Sequence, residues 1–342
     1  MSFVQTSIPE ERFYQNNVFP LTLSWQDSSV IESQSITEWL IENREKVDSY
    51  LRTHKAILFR SSNYISSHED FHNFVEAINY ETMDYVGGAA VRTQLTNRVF
   101  TANESPSSET IPFHHEMAQT PHPPTHLFFF CETAPTNGGA TPILVSAEVC
   151  ETLDHSHPDF MKSLENRGVN YVRYMPEFDD PTSAIGRGWR STFLTENKQG
   201  AEDALRALGS TWEWQEHGIL KTITATIPAI RYDDTPATAT RSQQKTFFNS
   251  VVAAYTGWND SRNDGSRAVI LGTDREGQAE NERMLDERAI ADAATIMGEI
   301  SVAFSWQPGD VLLLDNRTVM HSRQSFDGPR RILASLGRDP MR

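Results

Sequence analysis

Cysteine is scarce, with 2 in 342 residues, Cys131 and Cys150. That count does not make a secreted disulfide scaffold, although a bridge between the two remains open. No apolar run approaches a membrane span. The opening MSFVQTSIPEERFYQ has neither the basic start nor the apolar stretch of a signal peptide. Basic residues are outnumbered, 30 Lys and Arg against 46 Asp and Glu, for a formal net charge of −16. Nucleic acids and anionic membranes usually require a basic patch, so neither is an expected partner. No G-x-G-x-x-G follows a strand. The paired Gly87 and Gly88 read instead as a tight turn or a close backbone approach. Internal repeats and low-complexity tracts are absent. The expectation is a soluble, cytoplasmic protein acting on a small molecule, with its oligomeric state unspecified.

What is present is a patterned, β-rich chain. Ser35-Ile-Thr-Glu38 and Ser66-Ser-His-Glu69 read as capping boxes opening two helices around the short strand Ala56–Phe59. Ser146 is placed to cap a third helix. Short strands follow at Thr125–Thr133, Thr141–Val145, Val169–Met175, Ile223–Ile227, Val302–Trp306, Val311–Leu314 and Arg331–Leu336, separated by Gly and Pro turns. Phe247–Tyr255 and a charged helix over roughly 279–297 belong to a less regular stretch. The expected fold is mainly β with flanking helices, a double-stranded β-helix or jelly-roll, cupin-like barrel. Residues 1–342 form one domain in this reading. Residues 1–84 are a helix and strand preface, 85–175 and 301–342 the jelly-roll core, and 176–300 a long insertion over the mouth of the site.

Chemistry concentrates in Phe113-His-His-Glu-Met117. In an extended chain His114 and Glu116 point to one side and His115 to the other. An ionised carboxylate beside apolar strands is costly unless paired or metal-bound. An imidazole and a carboxylate on one face make two-thirds of a metal site, and the third ligand is placed at His321. Two histidines and one carboxylate leave half of the coordination sphere open, the arrangement of non-haem Fe(II) oxygenases. Spacing alone does not establish the contact between His114 and His321. His115 divides evenly between a role near the substrate and packing on the opposite face.

Together with Gly138-Gly-Ala-Thr141, Gly309–Arg317, His321 and Pro329-Arg-Arg-Ile332, this motif resembles the TauD/TfdA superfamily of Fe(II)- and 2-oxoglutarate-dependent dioxygenases, in particular its clavaminate synthase-like group. The resemblance covers nearly the whole chain. It implies that His114, Glu116 and His321 bind Fe(II), and that Thr141 and Arg331 bind the far carboxylate of 2-oxoglutarate, with O2 as the second cosubstrate. Arg330 is the rival to Arg331. Strand parity separates them, and the family pattern puts Arg331, Leu333 and Ser335 inward. Ser335 stands where several members carry a second basic residue for an anionic substrate, which argues against a taurine-like substrate. Glu116 stands where related halogenases have a small residue, which argues against halogenation.

The implied reaction oxidises a C–H bond of a small molecule, by hydroxylation or its variants desaturation and ring closure, and releases succinate and CO2. Arg92, Asn103, Arg190 and Tyr255 are candidate substrate contacts, and an amino acid or related small acid is the expected substrate. Arg187 and Arg190 could equally pair with acidic neighbours. Two other classes remain, a metal-dependent hydrolase using the same triad and a non-catalytic jelly-roll binding protein.

Overall fold

The structure is a computed structural model that describes residues 2–26, 34–60, 64–232 and 243–339. A mixed sheet runs through its middle. Its strands are ordered Ser2–Thr6, Leu21–Gln26, Ala56–Arg60, Asp310–Asp315, His126–Thr133, Arg331–Arg338 and Glu81–Thr82, and Phe100–Thr101 also pairs with Arg331–Arg338. Only Leu21–Gln26 with Ala56–Arg60 is parallel. The central strands are buried on both faces, so the alternation of side chains divides them between two cores.

Phe128, Phe130, Val311, Leu313 and Leu333 face the layer of helices Ile36–Glu42, Arg44–His54 and His68–Ile78. Phe129, Cys131, Leu312, Leu314, Ile332 and Ala334 face the other way, toward a three-stranded sheet of Ile143–Val145, Val319–Arg323 and Ile111–His114. Burying each such side chain contributes roughly 1.5–3 kcal/mol, so neither face of the central sheet can be left open. The two facing sheets resemble a jelly roll, but among the described residues they do not close into a barrel. Part of that barrel expectation rested on Val302–Trp306, where only an isolated bridge from Val302 to Ile143 forms.

The third large body has its own core, built around helices Ser146–Ser156, Pro158–Arg167, Val251–Gly257 and Glu287–Ile300. Its sheet is ordered Thr211–Trp214, Leu220–Ile223, Val169–Met175, Val269–Leu271. The strand Val169–Met175 therefore pairs with the stretch expected to be an insertion, not with the metal-bearing sheets. This body presents Ala184, Ile185, Ser250, Ala253, Gly257 and Trp258 to the cavity below the three-stranded sheet.

The capping signals are met in part. The first capping box forms at Ser35 and Glu38. The second uses Ser67 and Asp70, one residue later than Ser66 and Glu69. Ser146 does not cap its helix; its hydroxyl donates to the carbonyl of Thr318 and ties the helix to the metal-bearing strands. Cys131 and Cys150 are both buried free thiols.

Asp310 opens the strand Asp310–Asp315 and is 1% exposed, accepting from the backbone of Gln307 at 2.9 Å. Burial pushes its carboxyl up to about 6, against the pull of Arg60. Between about pH 4, where the unfolded chain releases this proton, and about pH 6, the folded state still holds it. Stability is therefore expected to fall as pH rises through that window. Asp310→Asn should flatten this part of the profile, read from urea midpoints across it.

Candidate metal centre and anion-binding cavity

Strand register builds the centre. His321 lies directly opposite His114, and the pairing slips just beyond, between His321 and Arg323. The two rings sit 4.3 Å apart between centroids. Glu116 follows two residues after His114, and its Oε2 is 3.6 Å from His321 Nε2. Ligand atoms of His114, Glu116 and His321 all lie within 4.8 Å of one another, so one ion could take a donor from each.

Their surroundings prepare these side chains as donors. His114 Nδ1 donates to the carbonyl of Pro112 at 2.8 Å, leaving Nε2 as a free lone pair. Burial lowers the pKa of both imidazoles, and His114 together with Arg92 pushes His321 lower still. Neutral imidazole is the form that binds a metal. Nδ1 of His321 is buried without a partner. His115 packs on the opposite face, stacked on Phe248, with Nδ1 donating to Asn316 O at 2.5 Å. Its evenly divided reading thus resolves to packing.

Asn316 is the residue that inspection of the sequence missed. Its Oδ1 accepts from Glu116 N at 2.8 Å, while its Nδ2 donates to Glu116 O at 3.1 Å and to Pro124 O at 2.8 Å. A buried amide thus grips both sides of the Glu116 backbone just after the strand ends. The available signal was its place next to Asp315, five residues before His321, in Asp310–Arg317.

The triad opens on a cavity whose charged lining is Arg92, Glu116, Arg323 and Arg330. Arg323 is spent on the carbonyls of Ser105, Pro106 and Glu109. Arg92 lies over the Tyr85 ring at 4.0 Å, and its Nη2 donates to both Glu116 oxygens at 3.1 Å. Its Nε and Nη1 are buried without partners.

Arg330 donates to Gly139 O at 2.9 Å and, at 3.4 Å, to Thr141 Oγ1. Among the described residues it has no carboxylate partner, and burial pushes its pKa down to about 10. Thr141 Oγ1 also accepts from the Trp306 indole at 3.1 Å, which leaves the Thr141 proton free to donate to an anion. Gly139 has φ +66°, and a Cβ there would meet Pro135 and Phe326 within 3.0 Å and the Arg330 stem at 3.0 Å. Gly139 therefore permits the close approach of this arginine.

Arg331 is not in the cavity. Its side chain is 45% exposed and pairs with Glu132. The parity argument correctly separated the two arginines but assigned the wrong face. Ile332 and Ala334, on the Arg330 side, face the metal-bearing sheet, whereas Leu333, on the Arg331 side, faces the helices. Arg92 and Asn103 do line the cavity, but Arg190 and Tyr255 do not. Arg190 is held by Glu177 at 2.6 Å and Glu196 at 2.8 Å, as the acidic-neighbour reading allowed. On helix Val251–Gly257, Ala253 and Gly257 share the cavity face, and Tyr255 turns away from it.

Two facing sheets with a two-histidine, one-carboxylate centre define a metal-dependent oxygenase scaffold. A similar fold occurs in the structure of AAD-2 in complex with Mn(II) and N-oxalylglycine, with a TM-score of 0.55 at 11% identity over 99% of each chain. Residues 17–336 match the model of the taurine catabolism dioxygenase TauD, TfdA family, and the chain belongs to that family. It is 45% identical over 337 residues to a clavaminate synthase-like protein of Arabidopsis thaliana, covering 97% of this chain and 98% of that one. It is also 24% identical over 319 residues to the dapdiamide synthesis protein DdaC of Enterobacter agglomerans, covering 92% and 89%. The chain is thus an oxidoreductase of the dioxygenase type, in a family that works with Fe(II), 2-oxoglutarate and O2. The hydrolase and the non-catalytic binding protein are set aside.

Asn316→Ala should weaken metal binding roughly 10- to 100-fold, because the ligand is no longer oriented from behind. Titration of the metal-free protein with Mn(II) checks this. An unchanged affinity would mean that the backbone of Glu116 is held without the amide.

Proposed function

We propose that the chain hydroxylates a C–H bond of an organic acid, with His114, Glu116 and His321 as ligands of Fe(II). Arg330 and Thr141, not Arg331, hold the far carboxylate of 2-oxoglutarate. One observation supports this above the others. A partly buried guanidinium that has no carboxylate partner among the described residues and a hydroxyl with its proton free share the cavity of the triad. A guanidinium matches a carboxylate with parallel hydrogen bonds, and an anion there would offset the cost of burying Arg330.

Bound in this cavity, Fe(II) with 2-oxoglutarate and O2 would convert the keto acid to succinate and CO2 and place the second oxygen atom on the substrate carbon. The protein's own contribution is positional. Asn316 and Arg92 hold Glu116 from its backbone and its carboxylate. Pro112 O orients the His114 ring. Phe129 and Ile332 give the cavity an apolar wall beside the centre.

Anaerobic addition of Fe(II) and 2-oxoglutarate should produce a weak visible charge-transfer band. Arg330→Gln should weaken 2-oxoglutarate binding roughly 10- to 100-fold, the loss of hydrogen bonds to a charged group. Arg331→Gln should leave it within about twofold, as befits an exposed ion pair. The reverse ranking would refute the assignment of Arg330, and absence of any band in the wild type would refute the metal reading.

A further inference from the structure

A second cavity of about 600 Å³, counting its mouth, adjoins the first. The two have Ala89, Gln119 and Trp258 as a common wall. The segment 85–90 that forms part of this wall is fixed from both sides. Arg187 donates to Tyr85 O at 2.9 Å and to Gly88 O at 3.3 Å, and Arg173 donates to Ala89 O at 3.2 Å. A Cβ on Gly88 would run into the Tyr85 ring at 2.0–2.4 Å, so the close approach read from the glycine pair is what shapes the wall. Among the described residues, the Gln119 side chain is held by a 3.5 Å contact from Nε2 to Gly87 O, a weak fixed point of the partition.

The interior of this cavity is mostly apolar, with Met175, Phe193, Leu205 and Ile227 among its walls. Gln119, Thr120, Tyr171, Ser210, Thr222 and Thr224 add polar groups, but Arg173 and Thr192 are the lining side chains with a buried polar atom that lacks a partner among the described residues. Arg173 is 6% exposed and, among the described residues, has no carboxylate partner. Its Nη2 donates to Ala89 O, Ile185 O and Arg187 O, while its Nε has no partner. Thr192 is 2% exposed, and its Oγ1 is also without a partner. A buried cation and a buried hydroxyl are both costly when unsatisfied, and two on one cavity point to an anion that supplies the missing acceptors. Burial pushes the Arg173 pKa down to about 10, a guanidinium short of negative charge.

We propose that this second cavity binds the carboxylate end of an elongated apolar acid, held by Arg173 and Thr192, while the other end passes Gln119 and Trp258 to the metal-facing cavity. The substrate class is then a medium- to long-chain monocarboxylic acid, oxidised at a carbon remote from its carboxylate. This rests on the reading of the first cavity as an oxygenase site. A phosphate is disfavoured, because Arg173 is the one charged residue among the described residues lining this cavity, and one guanidinium does not offset a doubly charged group.

The test uses dodecanoate and butanoate as probes. Calorimetric titration of the full-length metal-free protein should show one dodecanoate bound per chain. Thr192→Val removes a hydroxyl that has no protein partner, so the fold is kept, and dodecanoate affinity should fall about three- to tenfold. Arg173→Met should cost at least about tenfold. It also removes three contacts to carbonyls, so its folding is checked by circular dichroism, and Thr192→Val carries the test if it unfolds. In protein loaded with Mn(II) and 2-oxoglutarate, dodecanoate should perturb the Mn(II) paramagnetic resonance spectrum and butanoate should not. Dodecanoate that fails to bind, binds Thr192→Val as tightly as wild type, or leaves the Mn(II) spectrum unchanged would overturn the proposal. If Mn(II) and 2-oxoglutarate themselves fail to bind, the oxygenase reading falls first, by a separate measurement.

Discussion

The pairing of Val319–Arg323 with Ile111–His114 is the constraint on which the site depends. It sets His321 opposite His114, residues 207 positions apart in the chain, at a ring separation of 4.3 Å. A one-residue slip would turn His321 to the other face, because side chains alternate. Two devices protect the register. The metal-bearing sheet is packed on the central sheet through Ile143, Val145 and Val319 against Leu312, Leu314 and Ile332. Asn316, at the turn between the strands Asp310–Asp315 and Val319–Arg323, reaches back to the backbone of Glu116. The same turn therefore delivers His321 and holds the carboxylate ligand.

Charge is partitioned against the overall balance. The chain carries a formal −16, yet its metal-facing cavity has Arg92, Arg323 and Arg330 around the single carboxylate Glu116. Taking a guanidinium out of water is expensive, and a cluster of them persists where carbonyls, rings or ligands compensate. Arg323 is compensated by carbonyls and Arg92 by Glu116 and the Tyr85 ring. Arg330 and Arg173 have no carboxylate partner among the described residues, and they lie in adjacent cavities. The buried guanidiniums favour an anion in the interior, while the acidic balance of the chain disfavours a polyanion on the outside.

Much of the site was legible from local pattern. His114 and Glu116 sit two apart in an extended stretch, and that parity survives any reasonable fold. The helices were legible from period and capping, with the second cap displaced by one residue to Ser67 because Asp70 reaches back to the Ser66 and Ser67 backbones. The choice between Arg330 and Arg331 was not legible. Arg330 precedes and Arg331 opens one strand whose middle is buried between two layers, and nothing in Arg331–Leu336 marks which face meets helices and which meets the second sheet. Asn316 was not legible either, since an asparagine in a turn has several local uses and its grip on Glu116 is a contact across 200 residues. Arg190 illustrates the opposite case. In the folded chain its charge is taken up by Glu177 and Glu196.

Residue type, spacing and periodicity by themselves determined which groups could bind a metal, which segments alternate and that the chain would be layered with helices. These are short-range properties, set by the two- and 3.6-residue periods of the backbone. Tertiary structure alone decided that His321 reaches the other two ligands, that Arg330 and not its neighbour turns to the cavity, and that Val169–Met175 joins the third sheet, where Arg173 meets a second cavity. Each of those outcomes depends on which sheet face is covered by what. That is settled by packing between segments far apart in sequence, on which local pattern carries no information.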